Sequence, residues 1–157
     1  MSYLKAKKLT ELLISKNMSI AVSESCTGGL LSSSLTSIPG ASSYFNCGFI
    51  TYSNESKIKM LNVDSQTIDL FAAVSERVPY EMAVGAGQNS QSNLAISVTG
   101  IAGPSGGTAE KPVGMVCFGF YVEGEVSTTT QFFSGVRSEI VSDSIAFALT
   151  ELTSKIG

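Results

Sequence analysis

The stretch Ile20-Ala21-Val22-Ser23-Glu24-Ser25-Cys26-Thr27-Gly28-Gly29-Leu30-Leu31-Ser32 constrains this chain more than any other. Ile20–Val22 predicts a buried strand. The residues after it are small and polar and include Gly28 and Gly29, which predicts a sharp turn. Leu30–Leu35 then carries apolar residues at helical spacing. A strand, a turn and a helix N-terminus in that order call for an α/β arrangement. They also bring free backbone N–H groups and the positive end of a helix dipole to one point. Ser25 and Cys26 lie in that turn, and each carries a nucleophilic atom. An ordinary βα turn would use the same glycines for geometry alone, so the rest of the chain has to decide.

Taken in order, the remaining segments extend the α/β pattern. Tyr3–Lys16 places Leu4, Leu9, Leu12 and Leu13 against lysines and predicts an amphipathic helix. Ser19–Glu24 is the first strand, apolar enough to be covered on both faces. Gly28–Ser37 is the second helix, and Pro39-Gly40 turns the chain. Asn46–Thr51 predicts the second strand. Tyr52-Ser53-Asn54 leaves it, and Glu55–Leu61 and Asp64–Phe71 predict two short helices. Ser75 is a good N-cap for a helix reaching Gln91, with Pro79 placed in its first turn. Leu94–Thr99 is the third strand. Gly100–Pro112 follows, a loop with four glycines and two prolines, long enough to suggest function. Gly114–Val122 and Val126–Phe133 predict a hairpin, and Gly135–Lys155 an amphipathic closing helix. There is no internal repeat and no linker, so residues 1–157 are expected to form one domain. Helices on both faces of a mixed, mostly parallel sheet are the natural outcome.

Ligands of such sheets bind at the carboxyl ends of the strands. Two strands here end in glycine-rich polar loops, Ser25–Gly29 and Thr99–Gly107. If both run parallel, the loops share one rim. Tyr52 and Lys57 leave the second strand on that same rim.

Composition narrows the chemistry. The chain has no histidine, which removes Ser-His-Asp and Cys-His arrangements and most zinc sites. No metal or cofactor is expected. Any general base must be a carboxylate, a lysine or a tyrosine. Three unpaired cysteines indicate no disulfide framework and fit a reducing cytosol, so the expected location is cytoplasmic. The net charge of −3 without a basic run argues against a nucleic-acid surface. No apolar run is long enough to span a bilayer, and no signal peptide is evident.

A serine beside a lysine and a tyrosine is a histidine-free way to activate a hydroxyl. A lysine amine that is desolvated or near other cations loses its proton close to neutral pH and serves as base. Tyrosine can relay a proton, and the turn N–H groups at Cys26, Thr27, Gly28 and Gly29 can hold an oxyanion. Lys59 and Arg137 are the cations nominated as neighbours of Lys57. Taken singly, Lys57 reads equally as a solvated lysine and Tyr52 as a packing aromatic.

Four segments together carry a family resemblance: Ser23–Gly29, Tyr52–Lys57 (Tyr-Ser-Asn-Glu-Ser-Lys), Ala73–Glu76 (Ala-Val-Ser-Glu) and Thr99–Gly114. In sequence and order they resemble the CinA C-terminal domain family, named for competence-damage-inducible proteins, whose members include nicotinamide-nucleotide amidases. The resemblance implies a three-layer α/β/α sandwich with a mixed, mostly parallel five-stranded sheet and no metal. It implies hydrolysis of the carboxamide of nicotinamide mononucleotide to nicotinate mononucleotide and ammonia, by a Ser-Tyr-Lys set similar to that of class C β-lactamases. Matched by motif, the set falls on Ser25, Tyr52 and Lys57. Thr99, Gly100, Ala102, Gly103 and Gly107 are then expected to approach the nucleotide, with Arg137 and Lys111 as candidate phosphate partners.

The match has departures. Ser23 stands where members often have alanine. Gly135-Val136-Arg137 stands where members have Gly-Asp-Arg, and Val141 where a further arginine is expected, which weakens a phosphate or interface role for that segment. Two rival readings share the same site: a hydrolase of another small amide or ester, and a nucleotide-binding regulatory module without catalysis. A mean hydropathy of +0.25 with few charges, together with the resemblance, predicts a homodimer or higher homo-oligomer.

Overall fold

The computed structural model describes residues 2–157. The chain runs α1 (Ser2–Ser15), β1 (Ile20–Glu24), α2 (Leu30–Thr36), a short 3-10 turn (Ala41–Ser43), β2 (Phe45–Ile50), α3 (Asn54–Leu61), α4 (Ser65–Phe71), α5 (Arg77–Ser90), β3 (Leu94–Gly100), β4 (Met115–Val122), β5 (Glu125–Phe132) and α6 (Arg137–Ile156). The strands form one mixed sheet in the order β2-β1-β3-β4-β5. β1 pairs in parallel with β2 and β3, while β4 runs antiparallel to both β3 and β5. Four strands therefore point one way and β4 the other. The carboxyl ends of β1, β2 and β3 share one rim, as the two glycine-rich loops require.

Side-chain alternation along the strands separates two unlike layers. Ile20 and Val22 of β1 join Leu94, Ile96 and Val98 of β3 in a core shared with Leu9, Leu13, Leu31, Leu35, Leu149 and Leu152 of α1, α2 and α6. Ala21, Ser23, Ala95 and Ser97 point the other way, toward α5. That second layer is built on close approach. Ser97 Oγ donates to Pro79 O at 2.5 Å and Ser23 Oγ to Met82 O at 3.4 Å. A Cβ on Gly119 would collide with Pro79 O, so only glycine lets α5 lie this near the sheet.

The predicted elements are present with small shifts at their ends. The second helix begins at Leu30, after Gly28 and Gly29, both at positive φ. Ser75 Oγ accepts from Val78 N–H at 3.4 Å, and α5 begins two residues later, at Arg77. The hairpin turns on Glu123 and Gly124, both at positive φ.

Candidate active site

The strand alternation continues one residue past β1, because Ser25 N–H still donates to Val98 O at 2.9 Å. Glu24 therefore points toward α2 and Ser25 toward the opposite layer, where α3 begins. Glu24 is fully buried. Its carboxylate accepts from Leu31 N–H at 2.8 Å, Ser32 N–H at 2.9 Å and the Ser32 hydroxyl at 2.7 Å. It caps α2 in place of a side chain at Gly29, which has φ +102°. A cap made from the preceding strand has no Ser/Thr/Asp signature at the N-cap position, so the helix pattern alone did not reveal it. A carboxylate engaged by three donors of α2 is not free to serve as the general base.

Lys57 enters from α3, whose N-cap Ser53 accepts from Ser56 N–H at 3.1 Å. The Lys57 side chain is fully buried. Nζ lies 3.1 Å from Ser25 Oγ and donates to Thr51 O at 2.8 Å, with Tyr52 O and Ser53 O at 3.4 and 3.5 Å. Burial holds its pKa down, from 10.5 to about 8, while the adjacent Cys26 thiolate charge would raise it. The carbonyls also favour the ammonium form, so burial has to outweigh them. Lys59, nominated as a neighbouring cation, instead pairs with Glu55 at 2.7 Å on the exposed side of α3. Desolvation, not a second cation, is the dominant influence on Lys57.

Cys26 lines the same cavity but has no hydrogen bond to Lys57. Burial pushes its thiol up to about 12, against weaker opposing effects from its own backbone N–H, Arg137 and Lys57. A thiol in that state is a poor nucleophile. The Gly28 N–H of the turn is spent on Ser25 O at 3.1 Å. Among the described residues, the N–H groups of Thr27 and Gly29 make no hydrogen bond within the protein, and that of Cys26 meets only its own sulfur, so the three remain available to an oxyanion.

Tyr52 lies on the open side of the site and is 59% exposed. Its hydroxyl accepts from Arg137 Nη2 at 2.9 Å, and Arg137 Nη1 donates to Gly103 O at 2.6 Å. Arg137 thus ties the end of β2 to the glycine-rich loop, across the mouth of the site. The Tyr52 hydroxyl takes no part in the hydrogen bonds around Ser25 and Lys57.

Ser25 opens into a cavity of about 280 Å³ walled by Tyr52, Lys57, Thr99, Gly100, Ala102, Gly103 and Arg137. Ala73, Val74, Ile101, Ser105 and Gly106 also line it, so the Ala73–Glu76 motif reaches the cavity through its first two residues, while Glu76 accepts from Thr128 and Thr130 of β5. Thr99 Oγ1 fixes that wall by donating to Ala73 O at 3.2 Å. Two expected residues lie elsewhere. Gly107 packs against Val113, where a Cβ would come 2.7 Å from Val113 N. Lys111 Nζ donates to Phe71 O at 2.6 Å, at the C-terminus of α4, and does not line the cavity. Among the described residues, no three His, Cys, Asp or Glu side chains come together as a metal-ligand set. No helix described is long and apolar enough to cross a membrane.

The CinA C-terminal domain family matches residues 3–156. The chain belongs to that family. A CinA-like protein of Chloroherpeton thalassium (strain ATCC 35110 / GB-78) is 59% identical over 109 residues, which cover 69% of this chain and 26% of that one. The chain spans about a third of the length of the curated relatives it matches first. Among solved structures, a competence-damaged protein (CinA) superfamily protein of Klebsiella pneumoniae is 29% identical. It superposes with a TM-score of 0.97 over 99% of this chain and 98% of that one. The competence/damage inducible protein CihA of Agrobacterium tumefaciens is 37% identical, with a TM-score of 0.94 over 98% and 94%. The family and the three-layer fold thus match those implied by the four motifs.

Proposed function

We propose that the protein is an amidase that hydrolyses the carboxamide of nicotinamide mononucleotide to nicotinate mononucleotide and ammonia. The observation that carries this reading is a fully buried lysine amine 3.1 Å from a serine hydroxyl at a βα turn. The substrate comes from the family resemblance, and the 280 Å³ cavity is of a size to receive its ring.

In this scheme Ser25 Oγ attacks the amide carbon and its proton passes directly to neutral Lys57. The oxyanion takes hydrogen bonds from the free N–H groups of the Cys26–Gly29 turn. The Lys57 ammonium then gives its proton to the leaving nitrogen, and ammonia departs. Water attacks the Ser25 ester, Lys57 takes the proton of that water, and the serine is released as its hydroxyl. Tyr52 and Arg137 shape the entrance. The glycine-rich loop, with few side chains, admits the nucleotide closely. The same reading carries a cytoplasmic homo-oligomer without a metal or cofactor, for which light scattering and activity after EDTA treatment are the checks.

The test is ammonia release from nicotinamide mononucleotide by the purified protein, with Ser25→Ala as control. Release that requires Ser25 supports the reading. No release by the wild-type protein overturns it.

A further inference from the structure

A second cavity of about 900 Å³ shares Cys26, Tyr52 and Arg137 with the Ser25 pocket, so the two adjoin along these residues. It is a groove between helices. Leu30 and Ser33 of α2 with its C-cap Ser37 form one side, and Ser138, Val141 and Ile145 of α6 the other. Both sets recur at helical spacing, so each helix gives the groove a single face. From Arg137 to Ile145 the groove follows α6 for ~12 Å, at ~1.5 Å rise per residue.

The two ends of the groove differ in chemistry. The end beside Ser25 holds the Arg137 guanidinium and the N-terminus of the 20-residue helix α6, whose N-cap Val136 provides no side-chain cap. Thr27 lies at the same end. It is 1% exposed, and its hydroxyl has no hydrogen-bond partner among the described residues. A buried hydroxyl without a partner is costly unless a ligand completes it. The far end is mainly apolar, formed by Val141 and Ile145 with Tyr3 of α1 between the small side chains of Ser37 and Ser142. Moving away from Ser25, the groove offers cationic and donor groups first and an apolar slot second. A phosphate linker followed by an uncharged ring has the same order.

We propose that this groove is a second ligand compartment, which binds the distal half of a dinucleotide whose carboxamide ring sits at Ser25. The identity of that ring rests on the amidase reading; the phosphate and the second ring come from the groove. The mononucleotide ends at the phosphate and leaves the apolar end empty. The dinucleotide fills both compartments and competes with the mononucleotide for the site.

The test is calorimetric titration of Ser25→Ala, which binds without turnover, with NAD and with nicotinamide mononucleotide. Ser37→Trp and Ser142→Trp are then added singly, filling the apolar end from opposite walls at exposed positions. Each is expected to weaken NAD binding at least about tenfold and to change mononucleotide affinity less than about threefold. Unchanged melting temperatures establish that both variants fold. No NAD binding at about 1 mM, no loss in either variant, or equal losses for both ligands overturns the proposal. So does a change of subunit number in the tryptophan variants without any change in NAD binding, which assigns the groove to a second copy of the chain. Ammonia release by the wild-type protein is read separately. Groove-dependent NAD binding without ammonia release refutes the amidase and leaves the groove standing.

Discussion

Two pairs of side chains meet at the mouth of this site with hydrogen bonds of similar length. Lys57 and Ser25 are 3.1 Å apart, and Arg137 and Tyr52 are 2.9 Å apart. Lys57 is fully buried, whereas Tyr52 is 59% exposed and Arg137 lies on the surface. Distance is therefore not what distinguishes them. In the dry pair, loss of hydration disfavours the ammonium and brings its titration to about 8. In the wet pair, water competes for the same donors, and the bond organises the entrance. The difference teaches that a reactive lysine is made by what surrounds it, not by the residue beside it.

The largest effect expected from breaking the dry pair is at the nucleophile. Ser25→Ala should lower kcat/KM by at least about a hundredfold, measured by ammonia release. Recovery of most activity in that variant would move the nucleophile elsewhere.

Lys57 comes next, and it separates base from charge. Lys57→Arg retains a cation that cannot lose its proton, so activity should fall about as far as in Ser25→Ala. Near-wild-type turnover would reduce Lys57 to an electrostatic clamp. The wild-type rate should rise with pH through about 8, as the amine becomes neutral, and level off above.

Stability moves with a definite sign. The unfolded chain holds this proton up to about 10.5 and the folded chain only to about 8. At neutral pH and below, both states are protonated and the fold bears the whole cost, about 3 kcal/mol. The cost disappears as pH climbs from about 8 to about 10.5. Lys57→Met removes it, so that variant should be inactive yet melt at the same or a higher temperature at pH 7. A clear drop in melting temperature would show that the carbonyl bonds outweigh desolvation.

The wet pair should respond less. Arg137→Ala frees the glycine-rich loop at Gly103 and should raise KM by roughly tenfold, with kcat changed less. Tyr52→Phe removes only the hydroxyl and should cost less than about tenfold. A loss from Tyr52→Phe as large as that from Lys57→Arg would place the tyrosine in the proton path. The smallest effect is expected at Cys26→Ala, which keeps the backbone N–H and removes a thiol held near 12; activity should stay within about threefold.

Much of this molecule is legible in its sequence because short-range patterns specify it. Period-two and period-3.6 spacing mark the strands and helices, Ser75 marks the start of α5 to within two residues, and the glycine runs after β1 and β3 mark the shared rim. The absence of histidine restricts the base before any geometry is known. The four motifs then name the family and single out Ser25, Tyr52 and Lys57.

What local pattern cannot carry is burial and partnership between segments distant in the chain. Lys57 and Lys59 look alike in sequence, but α3 turns one into the sheet layer and leaves the other paired with Glu55 in water. Arg137 is 85 residues from Tyr52, and only the fold brings them together. Lys111 is drawn to Phe71 by the path of its loop, and Glu24 is taken by α2 as its cap. The sequence by itself determined which elements form and which groups are available at the rim. Tertiary structure decided which of those groups lose their water, because desolvation depends on the atoms packed around a side chain and not on its neighbours along the chain.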